Sequence, residues 1–128
     1  MTLSYAMRCK SRQPLLLDHG EQVLLALPRG TLLRSGDLLL DDTGRLIAVH
    51  AAAEYLTVAA TDDGHLLARA CYHLGNRHVP LAIADNHISL LQDHTLDALL
   101  TGLGLSVCHA HLPFEPEAGA FMPHDHPR

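Results

Sequence analysis

The first part of the chain, up to about residue 50, alternates short apolar runs with turn-forming residues. The apolar runs predict strands at residues 3–8, 15–17, 22–27, 37–40 and 45–49. The breaks between them contain Gly, Pro, Asp and Ser, which favour tight turns. Strands at this spacing are typical of a small antiparallel β domain, barrel or sandwich. Leu38, Leu39 and Leu40 do not alternate with polar residues, so the pattern leaves open which face of that strand is buried.

Beyond residue 50 the apolar spacing changes. Residues 54–60 alternate as a strand does. Apolar positions at helical spacing then predict a helix from the capping residues Thr61-Asp62-Asp63 to about Leu74, with Gly75-Asn76 as a left-handed pair just past its end. Strands at 80–84 and 87–91 follow, then a helix capped by Asp93 that ends at Gly104, and a strand at 105–112. The order βαββαβ predicts a ferredoxin-like domain with two helices on one face of a four-stranded sheet.

These patterns together predict an α+β protein. We expect a small N-terminal antiparallel β domain at residues 1–50 and a ferredoxin-like domain at residues 51–113. Residues 114–128, with four prolines in this segment or adjoining it, are expected to form an irregular tail.

Charge and composition exclude several classes of protein. A formal net charge of −5 argues against nucleic-acid binding through a basic face. No apolar run approaches the roughly 18 residues that span a bilayer, and the start MTLSYAMRCK lacks the apolar core of a secretory signal. The three cysteines, Cys9, Cys71 and Cys108, are widely spaced and fit a reducing compartment. We therefore expect a cytoplasmic protein.

Histidine is the most informative residue type in the chain. There are 11 histidines, and nine of them lie from His65 onward. Neutral imidazole is the commonest side-chain metal ligand. On a helical wheel, His94 lies opposite the leucines of the second helix, in line with Ala98 and Thr101 and near Asp97. Either this is a solvated helix face, or it is a two-fold contact at which His94 of two subunits share a metal ion.

Two further histidine pairs have ligand-like spacing. His109 and His111 are two apart on a predicted strand, so they project from the same face and could converge on one ion, whereas Cys108 points the other way. The alternative is an accidental pair at a strand end. His124 and His126 lie in the tail, which either captures a divalent ion loosely or is merely solvated.

Motifs for catalysis are missing from the sequence. It contains no CxxC pair, no HExxH, no phosphate-binding glycine loop and no GxSxG. Cys71 could be paired with His73 or His78 as nucleophile and base, but it falls on the apolar helix face, where a buried inert thiol is expected. We expect no catalytic residues and no enzymatic activity.

Three segments carry a resemblance to a known family. They are HLGNRHVPLAI (residues 73–83), DHTLDALLTGLGL (residues 93–105) and LPFEPEAGAF (residues 112–121). In these segments the chain resembles the urease accessory protein UreE family of nickel metallochaperones, from about residue 51 to residue 121. The GNRH-x-P and PFEPE-x-GA segments are the most distinctive, whereas the N-terminal part resembles the family only in its pattern of strands and turns.

The resemblance implies a function and a set of site residues. It implies that the protein delivers Ni²⁺ as cargo to the urease apoprotein complex and that it acts there alongside an accessory GTPase. It also implies a homodimer joined through the C-terminal domain with His94 at the interface, His109 and His111 as peripheral ligands, and a partner-binding N-terminal domain. Zn²⁺ or Cu²⁺ is expected to bind the same histidines. Many members end in a long histidine-rich tail. Because this sequence stops at residue 128, we expect delivery of one interfacial ion rather than storage of several.

A second function remains open from the sequence. The chain could be a protein-interaction adaptor in urease maturation, with its metal binding incidental. The GNRH-x-P segment is compatible with either function, since Gly75 and Asn76 resemble a helix cap and Arg77-His78 could be structural or contact a partner.

Overall fold

The computed structural model describes residues 1–119, which form a mixed α and β structure. The chain divides into two compact units, one formed mainly by Met1–Ala52 and the other by Ala53–Glu117. None of the helices in the described residues is long and apolar enough to cross a membrane.

The N-terminal unit is built from short strands. Its elements are β1 (Thr2–Leu3), α1 (Tyr5–Arg8), β2 (Arg12–Leu16), β3 (Gln22–Ala26), β4 (Leu38–Leu40), β5 (Leu46–Ala48) and β6 (His50–Ala51). β2 pairs with β3 and β4 with β5 in antiparallel hairpins. β1 pairs with β6 in parallel, which corrects the expectation of a purely antiparallel unit. This pairing joins the two ends of the segment, so no local turn pattern reveals it.

The strand predicted at residues 3–8 is wrong beyond Leu3. The chain turns into α1 instead, because the hydroxyl of Ser4 accepts a hydrogen bond from the backbone N–H of Met7 and caps the short helix. Arg8 at its end is completely buried, and its guanidinium donates to the carbonyl oxygens of Leu3 and Leu33. These bonds to backbone acceptors favour the helical turn over a continued strand.

The core of this unit is aliphatic. Its buried members are Met1, Leu3, Leu15, Leu17, Leu25, Leu33 and Val49. Leu39 packs against this cluster, whereas Leu38 and Leu40 on either side are 64% and 70% exposed. The structure thus answers the question that the run of leucines left open: Leu39 faces the core and is partly buried, and its two neighbours face outward.

The second unit contains a four-stranded antiparallel sheet and two helices. Its elements are β7 (Ala53–Ala60), α2 (Gly64–Asn76), β8 (Ala82–Ile83), β9 (His87–Leu91), α3 (His94–Leu103) and β10 (Ser106–Pro113). Neighbouring strands follow the order β10, β7, β9, β8. Each element lies close to its predicted position, because both the alternating strands and the leucine-rich helices have clear periodicity.

Leucines of both helices pack on one face of the sheet. The buried cluster includes Leu67 and Leu74 of α2 and Leu100 of α3, together with Ala59 of β7 and Ile88 of β9. Ala59 and Ile88 are paired across the two strands, so they share a face. Other side chains on this face of the sheet, outside the leucine cluster, therefore lie on the same side as the helices.

The helix ends are defined by capping residues. The carboxylate of Asp63 accepts from the N–H groups of His65 and Leu66 at the start of α2. Gly104, with φ of 109°, ends α3 as predicted. The prediction that Gly75-Asn76 lies past the end of α2 is wrong: both belong to the helix.

Candidate metal centre

His94 is the first residue of α3. The carboxylate of the preceding Asp93 accepts hydrogen bonds from the N–H groups of Thr95 and Leu96, at 2.8 Å and 3.1 Å. This cap fixes the helix start and with it the backbone that carries His94. The imidazole is exposed, as are Ala98 and Thr101, whereas Leu100 is completely buried. The outer face predicted from the helical wheel is confirmed.

An open depression lies beside His94. It has a volume of about 950 Å³, and His94 and His111 are among the residues that line it. The others are Ala53, Glu54, Tyr55, Leu91, Gln92 and Asp93. Two imidazoles and two carboxylates thus border one water-accessible surface, and side chains of both types bind divalent transition metals.

His111 on β10 stacks on Tyr55 of β7. The two residues are direct partners across the antiparallel strands, and their ring centroids are 4.4 Å apart with 30° between the ring planes. Tyr55 is 70% exposed, so the phenol ring forms one wall of the depression and restricts the orientation of the imidazole.

His109 has a different neighbour. Its Nε2 lies 2.6 Å from Oδ2 of Asp97 on α3. The other carboxylate oxygen of Asp97 accepts a hydrogen bond from the hydroxyl of Thr57, which is completely buried on β7. Thr57 and His109 are cross-strand partners, so one carboxylate joins two strands to the helix that begins at His94.

The surroundings of Asp97 shift its pKa. Burial by itself would raise the pKa of this carboxyl, but the hydrogen bonds from Thr57 and His109 and the charges of His109 and His94 outweigh it. The net effect is a pKa below the ordinary value, which keeps Asp97 ionised at neutral pH.

The structure brings the predicted histidines to neighbouring positions without gathering them into one complete set. His109 and His111 both project toward the helix side of β10, and Cys108 between them alternates to the opposite side. Among residues 1–119 no group of three or more His, Cys, Asp or Glu side chains converges well enough to hold a metal ion. His124 and His126 lie outside the described residues.

Sequence reasoning missed the partners of these histidines. Asp97 was placed near His94 because it lies one helical turn further on, but its bond to His109 depends on how α3 packs against the sheet. Tyr55 and Thr57 were assigned only to a strand. Their contacts follow from the pairing of β7 with β10, which the spacing along the chain does not give.

The chain matches both domains of one protein family. The model for the UreE urease accessory protein C-terminal domain matches residues 54–128, and that for the N-terminal domain matches residues 1–52. A urease accessory protein UreE of Enterobacter sp. (strain 638) is 51% identical over 127 residues, covering 98% of this chain and 84% of the relative.

Other relatives carry the same description. A urease accessory protein UreE of Pseudomonas putida (strain GB-1) is 52% identical over 129 residues, covering 98% of this chain and 78% of that protein. Another from Alkalilimnicola ehrlichii is 50% identical over 121 residues, covering 94% of this chain and 74% of that protein. The similarity therefore extends over nearly the whole chain.

Proposed function

Because the chain belongs to the UreE family of urease accessory proteins, we propose that it is a nickel metallochaperone that delivers Ni²⁺ to the urease apoprotein. The family consists of maturation factors and not of enzymes, in agreement with the expectation from the sequence. In this proposal Ni²⁺ is the cargo and the protein performs no chemical turnover.

The observation that supports this function best is the position of His94. It is exposed at the capped start of a helix, beside small residues and at the edge of a depression that His111 also lines. An exposed imidazole with few neighbouring ligands suits an ion that must be captured and released again. A structural metal site would instead be closed by four protein ligands.

The central site is proposed to form between two copies of the chain. Within residues 1–119 of one copy, the side chains offer no set of three ligands. Two copies related by a two-fold axis along the outer face of α3 would bring His94 next to its own counterpart. Ala98 and Thr101 are small enough for the helices to approach closely there. The homodimer would thus be joined through the second unit.

His109 and His111 are proposed as auxiliary ligands that receive or relay the ion near the central site, with His124 and His126 of the tail assisting capture. Imidazole nitrogen suits Ni²⁺, and by intrinsic affinity Cu²⁺ binds such a site at least as well, with Zn²⁺ as a further competitor. Selectivity for nickel would therefore come from metal availability and from the partner proteins.

We also propose a fold for the second unit and binding partners for the N-terminal residues. The order of the strands and helices in Ala53–Glu117 supports a ferredoxin-like assignment for the second unit. Residues 51–113 would bind metal and dimerise, and residues 1–50 would engage the urease apoprotein complex and its accessory GTPase. This maturation is proposed to take place in the cytoplasm.

A Ni²⁺ titration by calorimetry tests the central site. We expect the unaltered protein to bind about half an ion per subunit tightly, which is the stoichiometry of one ion on a two-fold axis. His94→Ala should remove this binding, while His87→Ala, an exchange of a histidine away from the depression, should leave it unchanged. An unaltered titration for His94→Ala would refute the interfacial site.

Activation of urease separates metal delivery from the adaptor function. If the protein delivers nickel through His94, then the folded His94→Ala variant should fail to activate the urease apoprotein when Ni²⁺ is scarce. Normal activation by this variant under the same conditions would favour an adaptor whose metal binding is incidental.

A further inference from the structure

Asp97 receives hydrogen bonds from two sides. The Thr57 hydroxyl approaches one carboxylate oxygen and Nε2 of His109 approaches the other, at 2.5 Å and 2.6 Å. The Asp97 side chain is 19% exposed, so protein atoms cover most of it. Its two protein donors therefore determine how the carboxylate is held.

This arrangement defines which nitrogen of His109 carries a proton. An ionised carboxylate only accepts hydrogen bonds. Nε2 must consequently be the N–H donor in the neutral imidazole, and Nδ1 must carry the free lone pair. Thr57 contributes because its hydroxyl donates a hydrogen bond to the second carboxylate oxygen of Asp97. This bond restricts the orientation of the carboxylate next to the His109 ring.

We propose that Asp97, oriented by Thr57, is a positioning residue that fixes His109 as the Nε2–H tautomer, so that Nδ1 is the atom that binds a divalent metal ion. This inference rests on the proposed role of His109 as an auxiliary ligand. It adds the ligating atom and the two residues that select it.

The proposal gives the two auxiliary histidines different properties. A metal-binding imidazole whose second nitrogen donates to a carboxylate is a better donor, and loss of such a partner typically lowers metal affinity about 10–100-fold. His109 has this support, whereas His111 is oriented by ring stacking on Tyr55. His109 should therefore hold an ion more tightly than His111 in the same protein.

Asp97 also connects the auxiliary ligand with the central one. It lies on α3 one turn after His94. A metal ion bound at Nδ1 of His109 leaves the Nε2–H bond to Asp97 intact. No proton has to leave Nε2 when the ion arrives or departs, which suits an ion that passes between neighbouring sites.

Nitrogen NMR of the metal-free protein tests the tautomer directly. In histidine-labelled protein at about pH 8, where imidazole is neutral, long-range ¹H–¹⁵N correlations should show His109 with protonated Nε2 and bare Nδ1. In Asp97→Ala the proton should distribute over both nitrogens, and in Asp97→Asn the amide group can donate to Nε2 and populate the Nδ1–H form. Asp62→Ala, the loss of an exposed carboxylate elsewhere, should change nothing.

Variants of Thr57 separate positioning from general packing. Thr57→Ser retains the hydroxyl and should preserve the single tautomer, whereas Thr57→Val retains the shape, removes the donor and should admit the second tautomer. If both variants behave alike, or if the unaltered protein shows His109 protonated on Nδ1, the proposal is overturned.

Addition of diamagnetic Zn²⁺ tests the ligating atom. Of the two ring nitrogens of His109, only Nδ1 should move to the range of a coordinated nitrogen, and Asp97→Ala should lower the Zn²⁺ affinity read from this signal about 10–100-fold. A response of Nε2 instead would overturn the proposal. A response of His94 without any of His109 would also overturn it, while leaving the proposed central site intact.

Discussion

At the scale of single residues, the three candidate histidines of the second unit differ in what surrounds each imidazole. His94 is carried by a capped helix start, His109 is bonded to Asp97, and His111 stacks on Tyr55. The residue type alone made them equivalent candidates. Because of these contacts, His94 lies at an open site, His109 has a defined proton position, and His111 has a restricted ring plane.

Arg45 of the N-terminal unit is the centre of an exposed ion network. It forms a two-pronged contact with Glu21, at 2.9 Å and 2.8 Å, and a further one with Asp41 at 3.0 Å. The pKa of Glu21 falls to about 2, first because of the hydrogen bond from Arg45 and then that from His19. The pKa of Asp41 also falls to about 2, but there the hydroxyl of Thr43 is the largest cause.

We expect Arg45→Gln to raise the pKa of Glu21 more than that of Asp41, because Asp41 keeps its bond from Thr43. Both carboxylates have lowered pKa values in the folded state, so they contribute stability above their ordinary pKa and lose it as the pH falls toward about 2. The variant should therefore lose stability around neutral pH and show a weaker dependence on acidification.

The measurement for this prediction is a carboxyl ¹³C NMR titration, combined with urea unfolding at several pH values. Arg29→Gln, which removes an exposed arginine outside this network, is the control. Equal pKa changes at Glu21 and Asp41 would contradict the assignment of separate causes.

At the scale of secondary structure, a residue just after α2 has a strained backbone conformation. His78 has φ of 57°, in the left-handed region that disfavours residues with a Cβ atom. The backbone N–H groups of Arg77 and Val79 nevertheless both bond to the carbonyl of Leu74, and that of His78 bonds to Gly75. These bonds hold His78 in place and end the helix.

We expect His78→Gly to stabilise the protein by about 1 kcal/mol, since glycine adopts positive φ without steric cost. Arg77→Gly is the matched control: with φ of −93° it gains nothing and should cost about 0.5–1 kcal/mol through the flexibility of the unfolded chain. Urea unfolding followed by circular dichroism distinguishes the two. A loss of stability in both variants would indicate that the His78 side chain makes a contribution that exceeds the strain.

The sequence pattern predicted the long elements of this chain and several short strands, but not α1 or the pairing of β1 with β6. Strands such as β9 and helices such as α3 have enough residues to display a repeat. The helix α1 has four residues and the strands β1 and β6 have two residues each, which is too few for a repeat to be recognised. They exist because of distant partners, among them the carbonyl of Leu33 that Arg8 contacts.

At the scale of the whole molecule, the outer face of α3 decides whether a shared metal site can form. We expect Ala98→Arg to prevent dimerisation, because a long charged side chain would stand where two helices are proposed to approach. The variant should remain folded, since Ala98 is exposed in the single chain, and should lose the binding of about half an ion per subunit.

Light scattering coupled to size-exclusion chromatography, with and without Ni²⁺, checks this prediction. Ala68→Arg is the matched control, because Ala68 is likewise exposed but lies on α2. An Ala98→Arg variant that stays dimeric and binds Ni²⁺ normally would show that the central site lies elsewhere.

The sequence by itself determined the α+β class, the positions of the long elements of the second unit and the exposed side of α3. These features depend on local periodicity and capping, which involve residues that are close together in the sequence. Motifs in the second half of the chain also indicated the family.

The tertiary structure alone decided the partners of the candidate ligands. Asp97 and His109 lie on the consecutive elements α3 and β10, whereas Tyr55 and His111 are separated by most of the second unit. Their contacts arise from strand pairing and from the packing of α3 on the sheet, which result from the burial of the leucine core. The identity of each candidate ligand was thus local information, whereas the contacts that orient His109 and His111 were set by long-range packing.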